Sequence, residues 1–228
     1  MKETRQELAR QELDWRADVP VSRRFDDPYY SLDNGLAETR HVFLQGNGLP
    51  DRFRDGFHIA ELGFGTGLNL LVALQAWRAS GIGGTLHMTS FEAFPLTAPD
   101  MIRAQEAFAE MAPLARELAP FWEAGARQID LPDLRFDMIV GDARTTLPDW
   151  YGQADAWFLD GFAPSKNPEL WEPPLLGEVA DKLVPGGTLA TYTAAGHVRR
   201  ALSDAGLVVT RLPGYGRKRH MTVARKPG

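Results

Sequence analysis

Apolar and polar positions along this chain follow two rhythms, and the switches between them mark its elements. Phe57 to Leu62 is a short apolar run closed by glycines, the pattern of a strand covered on both faces of a parallel sheet. Leu68 to Ala79 turns to helical spacing (Leu68, Leu71, Val72, Gln75, Ala76), and Ser80-Gly81 stops it. Thr85 to Phe91 reads as a second strand ending at Glu92, and Pro99 to Leu118 as a helical stretch broken at Pro113. Strands are expected over 134–140, closed by Gly141-Asp142, and over 154–159, closed by Asp160-Gly161. A helix over 175–183, stopped by Pro185-Gly186-Gly187, precedes a strand over 188–192 and a helix over 197–205. Two closing strands, 208–212 and 220–224, flank Pro213-Gly214-Tyr215-Gly216. Alternating strands and helices predict an α/β domain: a doubly wound, mostly parallel, seven-stranded sheet with an antiparallel C-terminal hairpin.

Residues 1–56 leave this rhythm. They are polar and turn-rich (Asp26-Asp27-Pro28, Asp33-Asn34-Gly35, Gly46-Asn47-Gly48), which predicts a small N-terminal extension packing over the active site of a main domain at 57–228. At 228 residues, 44% hydrophobic and 24% charged, the chain has enough apolar material for one large core.

Cysteine is absent. That excludes disulfides, thiolate metal sites, iron–sulfur clusters and cysteine nucleophiles. The five histidines (His41, His58, His87, His197, His220) show no metal-ligand spacing, so no metal is expected. No apolar run reaches the ~20 residues of a membrane span, and Met1-Lys2-Glu3-Thr4-Arg5 lacks a signal peptide's apolar segment. The expectation is a cytoplasmic protein with no membrane partner. The net charge of −5 is uneven: from Ala195 to Gly228 eight Lys/Arg face one acid, Asp204, leaving +7 there and −12 elsewhere. Such a patch is either a solvated face or a dock for nucleic acid, which responds to the local field.

The loop Glu61-Leu62-Gly63-Phe64-Gly65-Thr66-Gly67 joins the first strand to the first helix. Glycines there allow close backbone approach to a ligand at the helix N-terminus. A dinucleotide fingerprint would put its last small residue where Leu68 stands, so NAD and FAD are disfavoured, and no Gly-Lys-Ser/Thr follows to cradle a phosphate. Glu92 ends the second strand, where a carboxylate can grip both ribose hydroxyls. Asp142 ends the third, where an acid can accept from the adenine amino group. With Glu61 ahead of the loop, these acids describe a ligand with ribose, adenine and a positive centre. S-adenosylmethionine (SAM) fits, and Asn69, Ala143 and Asp160 complete the candidate donor site with Gly63, Phe64, Gly65, Thr66 and Gly67.

Without cysteine, attack on pyrimidine carbon 5 and radical methylation are closed, leaving in-line transfer to nitrogen, oxygen or a similar nucleophile. The fourth strand ends in Asp160-Gly161-Phe162-Ala163-Pro164-Ser165-Lys166-Asn167-Pro168. Enzymes that methylate exocyclic amines of nucleobases place a polar residue, a tight turn and an aromatic at this point. Asp160 can orient an amine and stabilise the ammonium formed, and Phe162 can stack on a base. The plain alternative is that Asp160 caps a turn and Phe162 is core.

Together these residues resemble the methyltransferase domain of the MnmC family and its stand-alone relative MnmD, from about Phe25 to Met221. The resemblance rests on Phe25-Asp26-Asp27-Pro28-Tyr29-Tyr30, Gly35-Leu36-Ala37-Glu38-Thr39-Arg40, the glycine loop, and Asp160 to Pro168 with Trp171. It continues in Thr193-Ala194-Ala195-Gly196, Val198-Arg199-Arg200 and Gly214-Tyr215-Gly216-Arg217-Lys218-Arg219. It implies a Rossmann-like SAM-dependent methyltransferase that turns 5-aminomethyl-2-thiouridine at the tRNA wobble position into 5-methylaminomethyl-2-thiouridine. Asp160 would then lie beside the transferred methyl, and Tyr30 and Glu38 would bring the N-terminal segment over donor or acceptor. Lys166, Arg217, Lys218 and Arg219 would be contacts to the tRNA anticodon stem-loop, with Tyr215 beside the cations. The bifunctional MnmC proteins continue into an FAD-dependent oxidase domain, for which a chain ending at Gly228 has no room, so FAD is not assigned here and the oxidase is a fused or separate partner. The residues alone leave open another amine acceptor (a DNA base, a protein or a small molecule) and a tRNA-binding module without turnover.

Overall fold

A computed structural model describes residues 12–31 and 34–228. Met1–Arg5, and Asp33 of the predicted Asp33-Asn34-Gly35 turn, lie outside the described residues. The N-terminal segment forms its own antiparallel sheet, β1 (Leu13–Arg16), β2 (Val19–Ser22) and β3 (Asp27–Pro28). Helix α1 (Gly35–Thr39) follows, capped by the Asn34 side chain on the Ala37 amide, and runs into a widened helical turn at Arg40–Leu44.

The main domain then runs β4 (His58–Leu62), α2 (Leu68–Ser80), β5 (Leu86–Glu92), α3 (Ala98–Glu106), α4 (Ala112–Glu123), β6 (Gln128–Leu131) and β7 (Leu134–Val140). It continues with α5 (Ala143–Thr146), β8 (Ala154–Leu159), α6 (Pro173–Asp181), β9 (Leu183–Thr191), α7 (Gly196–Asp204), β10 (Val208–Pro213) and β11 (His220–Arg225). The sheet order is β10-β11-β9-β8-β4-β5-β7-β6. The five central strands are parallel, and β6 and the β10–β11 hairpin pair antiparallel at the two edges.

The sheet has eight strands, not the seven expected. The addition is β6, a four-residue edge strand whose alternation offers only two apolar positions, Ile129 and the half-buried Leu131, too short a run to stand out. Pro113 does not break the helix over 99–118. The break lies between α3 and α4, and Pro113 sits in the first turn of α4, where its missing N–H has no partner to lose. The helix expected to end at Leu183 ends at Asp181, and β9 begins at Leu183 and continues through Pro185-Gly186-Gly187. A register shift between the Ala154–Leu183 and Ala156–Thr188 pairs leaves these residues outside the regular ladder, which is how a strand tolerates them.

Alternate strand residues face opposite layers. Ile59, Met88, Phe136 and Phe158 join the core beneath α2 and α4, while Ala60, Phe91, Trp157 and Leu189 join the core beneath α6 and α7. Helix α2 is apolar around most of its circumference: Leu70, Leu71, Ala73 and Leu74 are all fully buried. The sheet covers one side, and Leu36, Val42, Phe43, Leu49 and Phe53 share its core from the N-terminal segment. That segment therefore completes the core next to the strand ends where the site lies.

Candidate active site

Beyond the carboxyl ends of the parallel strands the backbone stays laced for one more step. Gly63 N–H donates to Phe91 O at 2.9 Å, Gly141 N–H to Glu92 O at 3.0 Å, and Asp160 N–H to Leu62 O at 2.9 Å. These bonds draw the loops after β4, β5, β7 and β8 around one cavity of about 850 Å³. The approach leaves no space for a side chain at Gly63: its φ is +88°, and a Cβ there would fall on the Asp160 carbonyl oxygen. Gly65 (φ +54°) lines the same wall, and Tyr29 from the N-terminal segment lies against it. Gly67, in the left-handed region, opens α2 with no side-chain cap, so the first amides of this thirteen-residue helix lie at the cavity's edge.

The acids differ in environment. Glu92 is gripped by backbone, accepting from Gly65 N–H at 3.0 Å and Phe94 N–H at 2.8 Å, while burial raises its pKa above the ordinary carboxylate value. Asp142 caps α5 and pairs with Arg144 at 2.7 Å, and those hydrogen bonds hold its pKa below the usual value. Asp160 is half-buried beside Asn69, whose Nδ2 donates to Asp160 Oδ2 at 2.7 Å and to Glu61 Oε1 at 2.7 Å. Ser90 O–H closes the row on Glu61 Oε2 at 2.6 Å. Burial pushes Asp160 up to about 7 and Glu61 up to about 8.

The structure brings Phe64, Thr66, Asn69, Glu92, Asp142, Ala143 and Asp160 to the cavity wall, but not Glu61 or Gly67. Glu61 is fully buried behind Asn69 and reaches the cavity only through that amide. The Oδ1 of Asn69 and the Oε1 of Gln105 are buried without a partner.

The loop after β8 is tied to the N-terminal segment. Ala163 N–H donates to Asp27 Oδ2 at 2.9 Å, and Lys166 pairs with Asp26 at 2.8 Å. Phe162 lines the cavity, but one face of its ring is taken by Phe25 (4.7 Å, stacked) and its side by Tyr29 (5.0 Å, edge-on). Tyr30 lines the wall, and its hydroxyl reaches Asp18 O at 2.7 Å and Ala104 O of α3 at 3.2 Å, which ties the segment to the main domain. Glu38 is buried and pairs with Lys218 at 2.8 Å. Arg217 and Lys218 border the cavity and Arg219 does not. Tyr192 went unnoticed in the sequence: it follows β9, lies on the cavity wall, donates to Gly161 O at 2.7 Å and holds the Lys218 ammonium 4.0 Å over its ring. Its place just before Thr193-Ala194-Ala195-Gly196, at another strand end, was the available signal.

Residues 106–227, just over half the chain, match the model of a family described as S-adenosyl-L-methionine-dependent methyltransferase. The chain belongs to this methyltransferase family. It is 45% identical over 225 residues to the tRNA 5-methylaminomethyl-2-thiouridine biosynthesis bifunctional protein MnmC of Caulobacter vibrioides, covering 95% of this chain and 38% of that protein. The protein of the same name from Aeromonas salmonicida is 45% identical over 224 residues, 90% of this chain and 34% of its own length. The chain thus spans well under half of these relatives. Among solved structures, that of MnmC2 from Aquifex aeolicus superposes with a TM-score of 0.77 at 28% identity, covering 98% of this chain and 74% of that one. Spermidine synthase from Thermotoga maritima (TM-score 0.56, 12% identity, 96% and 70% coverage) shares the fold.

The cavity of this methyltransferase suits its donor. SAM carries ribose, adenine and two cationic groups and no phosphate. The wall offers Glu92 and Asp142, the open amides of α2, a close approach at Gly63 and Gly65, and the half-buried carboxylate of Asp160.

Proposed function

We propose that the chain methylates the amine of the 5-aminomethyl group on the wobble (2-thio)uridine of tRNA, giving 5-methylaminomethyl-2-thiouridine. The observation that carries this reading is Asp160, a carboxylate half-buried at the tip of β8, hydrogen-bonded by Asn69 and open to the cavity. The relatives' shared name supplies the nucleoside, and the chemistry of the wall agrees with an amine acceptor. Bound SAM would supply an electrophilic methyl on a sulfonium. Glu92 and Asp142 would hold its ribose and adenine, with Ala143 beside them and the loop Gly63–Thr66 beneath. Glu61 would support that site from behind through Asn69.

An alkylammonium has no lone pair, so the acceptor must lose a proton before attack. Asp160, with a pKa near 7, is poised to receive an amine N–H and to stabilise the ammonium that forms. Phe162, braced by Phe25 and Tyr29, presents its remaining surface to the base. The segment before residue 57 acts as a cover for this site, with Tyr30 as its anchor. Lys166, although paired with Asp26, stands on the acceptor loop where the anticodon stem-loop would arrive. The exposed Arg211 and Arg219 lie near His220, whose pKa desolvation and then these cations lower, and a cationic surface of this kind suits nucleic acid. An FAD-dependent oxidase, fused or separate, would deliver the free amine.

The test is mass analysis of wobble nucleosides from tRNA carrying the aminomethyl group, before and after incubation with the protein and SAM. A gain of one methyl on that nucleoside is expected. Transfer of labelled methyl only to protein, DNA or small amines overturns the reading.

A further inference from the structure

Lys218 lies within the Arg217-Lys218-Arg219 run, its side chain 45% exposed, and its ammonium is 2.8 Å from Glu38 Oε1 and 4.0 Å from the centre of the Tyr192 ring. Both partners are fixed. The Glu38 side chain is only 11% exposed, and the Tyr192 hydroxyl is tied to the Gly161 carbonyl, in the residue after Asp160. The loop carrying Lys218 is anchored as well: His41 Nε2 lies 3.1 Å from Pro213 O, the His41 and Tyr215 rings meet at 5.9 Å, and Lys218 N–H donates to Tyr215 O at 3.0 Å. A cation with an anion on one side and a π face on the other is already engaged, whereas a phosphate contact needs one that can exchange its counterions.

We propose that Lys218 is a positioning residue of methyl transfer, clasped by Glu38 and Tyr192 to act on Asp160, and is not one of the cations that meet RNA phosphate. The groups around Asp160 make the role specific. From β4 and α2 come Glu61 and the Asn69 amide. Helix α1 contributes Glu38, the segment after β9 contributes Tyr192, and the hairpin loop contributes Lys218. Glu38 opposes a charge on Asp160, and Lys218 is the cation that favours it. Lys218 neutralises Glu38 and rests on the ring whose hydroxyl holds the Gly161 carbonyl, one residue from Asp160, and so keeps the carboxylate able to accept a proton at neutral pH. The phosphate contacts then fall to exposed cations such as Arg211 and Arg219.

The first half is tested without substrate, and only the second rests on the proposed tRNA reading. Carbon-13 carboxyl titrations of the donor-free protein follow Asp160 directly, its signal assigned by its loss in Asp160→Asn. Lys218→Met is expected to move that titration to higher pH by about half a unit or more, and Lys218→Arg to restore most of the difference. Coincident curves for wild type and Lys218→Met overturn the role, and thermal melts of both variants show that the fold is intact. Affinity for tRNA across a salt series tests the second half. Each lost phosphate contact lowers the slope of log affinity against log salt by about 0.7–0.9. Arg211→Gln and Arg219→Gln are expected to lower it and Lys218→Met to leave it unchanged; a drop of about one for Lys218→Met overturns this half. A wild type that ignores tRNA at every salt concentration sinks the substrate reading, while the carboxyl titration still decides the role of Lys218.

Discussion

Asp142 and Asp160 both follow parallel strands at the same edge of the sheet, and both line one cavity, yet they are opposite in character. Asp142 is nearly half exposed, caps a short helix and pairs with Arg144 two residues away, so its pKa is lowered. Asp160 has no such local partner. It is partly buried among the loop after β4, Asn69 and the Glu38–Lys218 pair, and desolvation raises its pKa to about 7. One acid is made a permanent anion by its sequence neighbours; the other is made a proton acceptor by residues from distant parts of the chain. On the proposed roles, a binding group and a reacting group differ in who surrounds them, not in residue type.

The largest expected break in this contrast is Gly63→Ala. With φ at +88° and the Asp160 carbonyl where the methyl would go, the two loops must separate, at a cost of about 2–5 kcal/mol of stability. Asp160 would then be better hydrated, and its pKa would fall toward that of Asp142. Urea denaturation checks the stability, and an unchanged midpoint would contradict the packing described.

Asp160→Asn keeps the shape and removes the proton acceptor. Turnover should fall at least about tenfold, or ~1.4 kcal/mol of barrier, with donor affinity largely kept; single-turnover assays and donor titration separate the two. The same substitution should alter stability against pH. Asp160 and Glu61 bind protons more tightly folded than unfolded, so their contribution is complete below pH 4 and is lost as pH rises through about 7 and 8. The melting temperature of the wild type should therefore decline across that window, and that of Asp160→Asn should decline less; parallel declines would contradict the burial assigned to Asp160.

The smallest effect is expected at Asp142→Asn. The exposed pair with Arg144 is worth under about 1 kcal/mol of stability, and one weakened hydrogen bond to the adenine amino group costs about fivefold in donor affinity. Calorimetric titration with SAM measures it, and a loss approaching that of activity in Asp160→Asn would erase the distinction.

The same contrast explains what the sequence could tell. Strand ends, the glycine loop and the acids that close β5, β7 and β8 depend on residues within a few positions of one another, and they were legible. So was the apolar stretch of α2, although its all-round burial also announced a second cover that was read only as a turn-rich extension. What stayed hidden depends on distance along the chain. Glu61 read as a ligand-facing acid, and only the fold sets Asn69 between it and the cavity. Phe162 read as a free stacking surface until Phe25, more than a hundred residues earlier, occupied one of its faces. Lys218 read as one of three equivalent cations because nothing local distinguishes it; Glu38 and Tyr192 do. Strand β6 escaped for another reason: its alternation of Ile129 and Leu131 lasts only four residues.

Strand β11 is inserted between β9 and β10 and pairs antiparallel with both. During synthesis, then, β9 keeps a bare edge until residues 220–225 have left the ribosome, and the loop that delivers Lys218 settles only when that ribbon docks. Translation order makes the pocket wall at Tyr215–Lys218 one of the last parts of this domain to form, so a nascent chain stalled before this point carries an unprotected flank and an unfinished pocket.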